Sequence, residues 1–236
     1  MANFPFQRLQ SDLAALIQRT PAGSRLISEP ELAKQLGVSR ATLREAMRTF
    51  ETQGLIRRRQ GAGTFVVGKV PVLDAGLEVL ESIETMAQRL NLAVSVSDLN
   101  IEQVDASDDY AMGLLVEVGT CLTRVRRVMR ADTRPVAYLI DVLPDSVLRL
   151  HDLPVGFNGS VLDFLIERGD DLRIARAAIS ATNATAEVAK ALEIQSGDVI
   201  LQFGAQIYTS DGKVMDYTKS YFIPGYFNFH VVRRIG

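Results

Sequence analysis

The segment from residue 28 to residue 67 constrains the fold more than any other part of the chain. It reads SEPELAKQLGVSRATLREAMRTFETQGLIRRRQGAGTFVV. Ser28 and Glu31 form a predicted capping box at the start of a short helix. Ser39 is placed to cap a longer helix, which Gly54 ends. Two helices joined by the tight turn LGVS predict a helix-turn-helix.

A third helix is predicted before this segment and a β-hairpin at its end. Apolar residues recur at spacings of three and four over positions 3–19, which is typical of an amphipathic helix. At the other end, LIRRR and TFVV predict two strands joined by QGAG. The glycines of this connection allow the positive backbone angles of a hairpin tip. Helices followed by a hairpin in this order predict a winged helix-turn-helix.

Positive charge is concentrated in the same part of the chain. Residues 1–70 carry 11 Lys/Arg and 5 Asp/Glu, a net charge of +6, whereas the whole chain has a formal net charge of −2. On the longer helix, Arg40 and Arg44 project away from the predicted apolar stripe. Arginines placed there can bind guanine edges or phosphates, although an ordinary solvated face is the alternative. The agreement of helix face, turn, hairpin and charge favours nucleic-acid binding.

This segment resembles the winged helix-turn-helix of GntR-family transcriptional regulators over positions 6–67. The resemblance implies that Arg40 and Arg44 contact operator bases and backbone. The neighbouring contacts that it implies, together with two further arginines of the basic face, are Ser39, Ala41, Thr42, Arg48, Arg58, Gln60 and Gly61. Pro30 departs from the family, which usually has a phosphate-contacting arginine there. We therefore expect binding to the DNA backbone to be weaker, or differently balanced among its contacts.

The rest of the chain predicts a second domain of mixed strands and helices. Residues 69–81 are interpreted as a linker after a domain of residues 1–68, because KVPVLDAG has no clear periodicity, although a helical pattern of apolar residues starts at Leu77. Over residues 82–236, strand-like segments such as CLTRVRRVMRAD and RPVAYLIDVLP alternate with helical ones such as SVLDFLIER. SDGK is a predicted hairpin turn, and FNFHVVRRI is a predicted last strand. We therefore expect an α+β domain built on an antiparallel sheet.

The second domain resembles the UTRA effector domain of HutC-type GntR regulators, which has a chorismate-lyase-like fold. The resemblance rests on VRRVMRADTRPVAYLIDVLP, GSVLDFL, the alanine spacing from Ala181 and the closing SYFIPGYFNFHV. Two histidines disfavour the family branch with a helical, histidine-rich metal site. The chain is also too short for the aminotransferase-like branch. The resemblance implies a domain that binds a small-molecule effector and forms a homodimer.

The resemblance also implies candidate effector contacts. Arg127 matches one of two pocket arginines of sugar-phosphate-sensing relatives, whereas Met129 and Leu139 stand where those relatives have the second arginine and an acidic residue. We therefore expect an effector with at most one anionic group. The candidate contacts are Arg127, Ser160 and Arg176 for that group, with Tyr226 and Phe227 for an apolar body. A core or surface role is the alternative for each, because spacing alone does not show which strand face points inward.

Composition and motifs limit the functional class. The sequence has no recognisable paired carboxylates, nucleophile–base set or metal cluster, and no apolar run approaches the roughly 20 residues of a membrane span. One cysteine, Cys121, excludes an internal disulfide framework. We expect a cytoplasmic homodimeric regulator, commonly a repressor in this family, that binds a palindromic operator and needs no cofactor or metal. The alternatives are an architectural DNA binder with an inert dimerisation domain and a lyase-like enzyme.

Overall fold

The computed structural model describes residues 4–52, 54–59, 62–67, 73–89, 92–157 and 159–231. The chain divides into two compact units. The first comprises Met1–Val72 with Pro224–Tyr226, and the second comprises Leu73–Ile223 with Phe227–Gly236. Helices dominate the first unit, whereas a six-stranded sheet is the framework of the second.

The first unit consists of three helices and a two-stranded hairpin. Its elements are α1 (Phe4–Arg19), α2 (Glu29–Gln35), α3 (Arg40–Thr52), β1 (Ile56–Arg59) and β2 (Gly63–Val66). All three helices contribute apolar side chains to one core. Its buried members include Leu9, Leu13, Ile17, Leu32, Leu43, Met47, Phe50 and Ile56. Since burying one such side chain stabilises by about 1.5–3 kcal/mol, this shared core fixes the three helices against one another.

Side-chain caps determine where α2 and α3 begin. The Ser28 backbone N–H donates to Glu31 Oε2 at 3.2 Å, and the Glu31 N–H donates to Ser28 Oγ at 3.4 Å, which confirms the capping box. Ser39 Oγ accepts from the Thr42 N–H at 3.1 Å and caps α3. After α3, Gly54 has a φ of +70°, a conformation that glycine adopts without strain. The predicted helix-turn-helix is therefore confirmed, together with the residues that bound it.

The predicted hairpin is also present and is anchored to the rest of the unit. β1 and β2 pair antiparallel, with Ile56 opposite Val66. The segment before α2 also pairs with β2, because the Leu26 N–H donates to the Thr64 carbonyl oxygen at 2.8 Å. An isolated two-stranded hairpin is marginally stable in water, so this extra pairing and the burial of Ile56 hold the wing in place.

The second unit contains the remaining elements, in an order that alternates short helices with long strands. They are β3 (Leu73–Gly76), α4 (Ile83–Arg89), β4 (Val94–Asp105), α5 (Asp108–Leu114), β5 (Cys121–Ala131), β6 (Arg134–Pro144), a 3-10 turn (Leu150–Asp152), α6 (Val161–Arg168), β7 (Ile174–Asn183), α7 (Ala186–Leu192), β8 (Val199–Tyr208), β9 (Val214–Phe222) and β10 (Phe227–His230). Six of the strands form one antiparallel sheet in the order β4-β5-β6-β9-β8-β7. This confirms the predicted α+β architecture.

The structure differs from the sequence interpretation between residues 69 and 81. Leu73–Gly76 is a strand, and it pairs in parallel with Phe227–His230 in a separate two-stranded sheet. The helix predicted from Leu77 begins only at Ile83, where Ser82 Oγ accepts from the Thr85 N–H at 2.9 Å. A four-residue strand is too short to show alternation, and its partner is at the far end of the sequence.

Helices cover both faces of the large sheet, because successive residues of a strand point to opposite sides. On one face, Val125 and Leu143 pack with Val161 and Leu165 of α6 in a buried cluster. On the other face, Tyr138 OH donates to Glu187 of α7 at 2.8 Å, and α5 packs beside it against β9. The odd-numbered residues of β5 up to Met129, and of β6 from Ala137 onward, therefore face α6.

Candidate nucleic-acid interface and effector cavity

α3 presents its polar side away from the core of the first unit. Leu43, Ala46, Met47 and Phe50 are buried, as the sequence pattern predicts. The exposed residues at its N-terminal end are Ser39, Arg40, Ala41, Thr42 and Arg44. Arg48, one turn further on, is half-buried. In helix-turn-helix domains the N-terminal end of the second helix enters the major groove, and here that end is exposed and basic.

A recess of about 520 Å³ lies beside α3. Among its described lining residues, the charged groups are five arginines (Arg25, Arg40, Arg44, Arg58 and Arg59) and one acid, Glu29. The arginines come from the segment before α2, from α3 and from the hairpin. Three separate parts of the sequence therefore converge on one positive surface, which suits a phosphate backbone.

Two of these arginines are held by other groups of the unit. Arg44 Nε donates to Glu29 Oε2 at 2.6 Å, and the Arg44 side chain is still 54% exposed. Arg58 Nη2 donates to the backbone carbonyl oxygen of Arg44 at 3.0 Å, and Arg58 Nε lies 3.4 Å from Glu51 Oε2. The Arg58 side chain thus ties the hairpin to α3 instead of extending into solvent. Its neighbour Arg57 is exposed.

Two of the predicted DNA contacts, Gln60 and Gly61, lie outside the described residues. Pro30 occupies the first turn of α2 and is exposed. Its side chain has no hydrogen-bond donor, so it cannot replace the phosphate-contacting arginine of the family. Among the arginines that line the recess, Arg25 is the closest in sequence to this position.

A cavity of about 400 Å³ lies in the second unit, on the α6 side of the large sheet. Alternate residues of five strands form its floor, because they share one face. Residues 76–83, α4 and α6 supply the remaining walls. Its main apolar lining residues are Met86, Leu139, Leu162, Phe203, Phe222 and Phe229. Cavities of this size, mostly apolar with a few polar groups, are typical of small-molecule sites.

Arg127 is a buried cation in this cavity and is held by two buried acids. Its Nε donates to Glu84 Oε1 at 2.9 Å, and its Nη1 donates to Asp141 Oδ2. Burial acts to lower the Arg127 pKa, but the charges of Asp141 and Glu84 outweigh it and the pKa lies above its ordinary value. A Cβ at Gly159, whose φ is +97°, would come within 2.6 Å of Arg127 Cδ. Glycine is therefore required where the loop before α6 passes over Arg127.

Asp216 of β9 lines the same cavity and is fully buried. Its carboxyl oxygens make no hydrogen bond of normal geometry among the described residues, although the Val142 backbone N–H and the Asp141 side chain lie close enough to interact with them. Burial, followed by the charge of Asp141, raises the pKa of Asp216 well above its ordinary value. Burial also raises the pKa of Asp141, although the Arg127 charge opposes that rise. The cavity therefore favours the neutral form of Asp216.

The predicted effector contacts are not all brought together. Arg127 lines the cavity, whereas Ser160 is buried at the start of α6, where its hydroxyl accepts from the Asp163 N–H at 3.3 Å and donates to Asp163 Oδ2 at 2.7 Å. Arg176 is exposed on β7, and its neighbours Ala175 and Ala177 are the residues that line the cavity. Arg176 consequently points to the opposite face of the sheet.

The aromatic residues of the cavity also differ from the predicted pair. Tyr226 and Phe227 are not among the described lining residues, which instead include Phe203, Phe222 and Phe229. Phe227 packs behind them, with its ring 4.8 Å from that of Phe222 and 5.5 Å from that of Phe229. These rings fasten β10 to the sheet and form one apolar wall.

Three acidic residues at the buried end of the cavity were not predicted: Asp141 and Asp216, which line it, and Glu84, which holds Arg127 from outside the described lining. A signal for two of them exists in the sequence. Asp141 interrupts the apolar run VAYLIDVLP, and Asp216 starts an alternation with Thr218 and Ser220 in β9. Polar side chains repeating with a period of two on an otherwise apolar strand indicate a polar patch on one sheet face. Glu84 carries no such signal, because its pairing with Arg127 depends on the packing of α4.

Two features are absent from the described part of the chain. No helix there is long and apolar enough to cross a membrane. Within the same described residues, no group of three or more His, Cys, Asp or Glu side chains could hold a metal ion.

Comparison with known proteins identifies both units. Residues 6–66 match the model of the bacterial regulatory proteins of the gntR family, and residues 89–228 match the model of the UTRA domain. HTH-type transcriptional regulator Rv0792c of Mycobacterium tuberculosis (strain ATCC 25618 / H37Rv) is 32% identical over 219 residues, which cover 91% of this chain and 79% of the relative. HTH-type transcriptional repressor NagR of Bacillus subtilis (strain 168) is 28% identical over 198 residues, covering 83% of this chain and 79% of that protein.

A solved structure shows the same fold. The crystal structure of PhnF from Mycobacterium smegmatis matches with a TM-score of 0.64 and 21% sequence identity, over 97% of this chain and 100% of that chain. GntR-type helix-turn-helix regulators bind operator DNA, and UTRA domains bind small-molecule effectors. The chain therefore belongs to the GntR family of bacterial regulators with a UTRA domain, and it is a DNA-binding transcriptional regulator, not an enzyme.

Proposed function

We propose that the protein is a cytoplasmic homodimeric repressor of the HutC branch, which leaves a palindromic operator when an effector occupies the cavity of the UTRA domain. The observation that carries the proposal is the presence, in one chain, of an arginine-lined recess and a cavity with buried ionisable groups. An inert dimerisation domain has no use for such a cavity, since buried ionisable groups cost stability. This argues against a purely architectural DNA binder.

In the DNA-binding domain, residues 1–68, we assign base contacts to Arg40 and Arg44, which are exposed on α3. Phosphate contacts come from the rest of the basic surface. The residues assigned to the interface are Ser39, Arg40, Ala41, Thr42, Arg44, Arg48, Gln60 and Gly61. Arg58 acts by positioning, since its guanidinium donates to the Arg44 carbonyl oxygen.

Dimerisation would use the UTRA domain, residues 82–236, and β7 is the element best suited to it. β7 is an edge strand whose described pairing is with β8 alone. It is exposed over most of its length, and Ile174 and Ile179 are 64% and 50% exposed. A long, apolar edge strand is a template for pairing with another chain. Two copies related by a two-fold axis would match a palindromic operator.

The effector would carry at most one anionic group. Arg127 already donates to Glu84 and Asp141, and Asp216 adds a third carboxyl group. A multiply charged phosphate would meet an acidic lining in which Arg127 is committed to its two acids and Arg173 is paired with Asp171, at a cost of several kcal/mol. Effector binding would then shift the population from a DNA-competent to an incompetent state.

The proposal is tested by selecting operators from a random DNA pool with the full-length protein and comparing Arg44→Ala with wild type. We expect a palindromic consensus for wild type and its loss in the variant, since a good base contact is worth about 1–3 kcal/mol per half-site. Arg8→Ala is the matched control, because Arg8 is exposed and lies outside the recess lining. Binding by Arg44→Ala within a factor of about two of wild type at equal salt would contradict the docking model.

A further inference from the structure

At the buried end of the UTRA cavity, acidic groups outnumber basic ones when Glu84, which contacts Arg127 from outside the described lining, is included. Glu84, Asp141 and Asp216 are respectively 8%, 7% and 0% exposed, and Arg127 is 5% exposed. Three carboxyl groups thus share one guanidinium in a site removed from water. Buried charges are normally paired, because an unpaired one loses its hydration without compensation. Even with Asp216 in its neutral form, two acidic groups, Glu84 and Asp141, remain for one guanidinium, so the buried end of the cavity keeps an excess of acid.

Arg127 is poorly suited to bind an anionic effector. Its Nε and one terminal nitrogen already donate to Glu84 and Asp141. The guanidinium has further N–H donors that could meet an anion. An effector carboxylate or phosphate there would nevertheless add negative charge beside Glu84, Asp141 and Asp216, which is unfavourable in a site removed from water. The polar end of the cavity is therefore built for a group that donates hydrogen bonds.

Asp216 is the acidic residue that can accept a hydrogen bond from such a group. Its side chain lines the cavity, is fully buried, and makes no hydrogen bond of normal geometry among the described residues, although the Val142 N–H and the Asp141 carboxyl group are nearby. A carboxylate offers two acceptor oxygens, and Asp141 lies close enough for its charge to perturb Asp216. An unsatisfied buried acid of this kind is costly unless a ligand uses it, as is common in binding sites that trade stability for function.

We propose that the effector carries a protonated amine, which donates to Asp216 and Asp141 at the buried end of this cavity while its apolar body packs against Phe203, Phe222 and Phe229. The inference rests on the proposed function, because it names the chemical class of ligand for the same cavity. An ammonium group reduces the excess of negative charge by one. A hydroxyl group satisfies hydrogen bonds but leaves the charge imbalance unchanged. The charge count therefore selects an amine over its alcohol analogue.

The test uses the full-length protein and pairs of probes that differ in one group. The pairs are 2-phenylethylamine with 2-phenylethanol, hexylamine with 1-hexanol, and glucosamine with glucose. Calorimetry and thermal shift at neutral pH give the dissociation constants and the stabilisation. We expect at least one amine to bind at least about tenfold more tightly than its alcohol, which is one unit of affinity on the logarithmic scale. Equal or tighter binding of every alcohol, or failure of every amine to bind, would overturn the inference.

Substitutions of Asp216 test whether the amine contacts this residue. Asp216→Asn should abolish the preference for the amine, whereas Asp105→Asn should keep it, because Asp105 is exposed at the end of β4. Asp216→Ser provides a second, smaller replacement with the same expected result. A preference that survives both changes would show that the amine binds elsewhere. Without any ligand, Asp216→Asn should raise the melting temperature at neutral pH, and a lower melting temperature would mean that Asp216 is structural.

Operator binding separates this inference from the proposed function. If a non-amine releases the wild-type protein from its selected operator, the regulator function holds and the amine inference is wrong. If the protein shows no sequence preference on DNA while an amine still binds at Asp216, the repressor proposal fails and the ligand class holds.

Discussion

Arg44 Nε lies 2.6 Å from Glu29 Oε2, so the central arginine of the recognition helix is paired with an acid of the helix before it. The pair is partly exposed, with 54% of the Arg44 side chain and 21% of the Glu29 side chain accessible. A phosphate or guanine would therefore compete with Glu29 for the same guanidinium. The carboxylate holds the arginine in position and at the same time lowers its attraction for any nearby phosphate.

We expect Glu29→Gln to tighten binding to random DNA and to reduce the preference for the operator. The freed arginine and the loss of one negative charge favour any phosphate, by about 0.2–1 kcal/mol for an exposed pair. Anisotropy titrations with operator and random duplexes at two salt concentrations measure both effects. Asp12→Asn is the control, because Asp12 is exposed on α1 and lies outside the recess lining. Weaker binding to both duplexes would mean that Glu29 acts mainly by orienting Arg44.

Arg57 and Arg58 are adjacent in β1 but should behave differently when changed to alanine. Arg57 is exposed, so Arg57→Ala should weaken binding to all sequences and lower the salt slope by about one. Arg58→Ala removes the hydrogen bond to the Arg44 carbonyl oxygen and the ion pair with Glu51, so it should lower the melting temperature and the operator preference together. Salt titrations and thermal melts distinguish the two. A change in salt slope alone for Arg58→Ala would contradict its positioning role.

The increase in the free energy of unfolding that we expect for Asp216→Asn should depend on pH. The folded pKa of Asp216 is raised above that of an unfolded aspartate, about 3.9. Its neutral form therefore contributes stability that is complete below the unfolded pKa and is lost as the pH rises through the folded pKa. Asparagine has no such loss, so the gain of the variant in free energy of unfolding should grow from acid to neutral pH. The charged groups that face Asp216 or line the cavity are Arg127, Glu84, Asp141, Glu78, Glu81 and Arg173.

Urea denaturation of wild type and Asp216→Asn at a series of pH values measures this difference. The shared groups titrate in both proteins and cancel to first order, so the comparison isolates Asp216. A difference that stays constant with pH would show that the carboxyl group is equally ionised in the folded and unfolded states.

Arg127→Ala should destabilise the UTRA domain by about 3–5 kcal/mol, because Glu84 and Asp141 then remain buried without a cation. The loss should be greater at neutral pH than in acid, where the carboxyl groups can accept protons. Adding Glu84→Gln and Asp141→Asn to the same chain removes both charges and should restore most of the stability. Urea midpoints of the single and triple variants measure this. A triple variant no more stable than Arg127→Ala would show that packing, not charge, is what Arg127 supplies.

The elements that could be predicted best from the sequence are those decided by residues close together in the chain. The capping box of Ser28 and the cap at Ser39 are decided by residues three positions apart, so the helix-turn-helix could be predicted with its boundaries. The apolar stripe from Leu43 to Phe50 also follows directly from helical periodicity. The side to which Arg44 projects was predictable for the same reason.

The cavity was harder to predict because it depends on which strand face points inward and on contacts between distant residues. Arg176 was expected at the effector, but its neighbours Ala175 and Ala177 take the inward positions. Asp216 and Asp141 come together only through the pairing of β6 with β9, which spacing within either strand does not reveal. A shift of one residue along a strand moves every side chain to the opposite face of the sheet, so sequence similarity alone cannot decide which residues line the cavity.

The parallel pairing of Leu73–Gly76 with Phe227–His230 has a consequence for the order of events on the ribosome. The described helices and hairpin of the first unit all lie within residues 4–67 and can form as soon as that stretch has emerged. β3 follows directly, yet its hydrogen-bonding partner is translated after every other described strand. The nascent chain must therefore carry an unpaired strand until synthesis reaches β10. Contacts between such distant parts of a sequence form slowly, so this strand is where a ribosome-associated chaperone would be most useful.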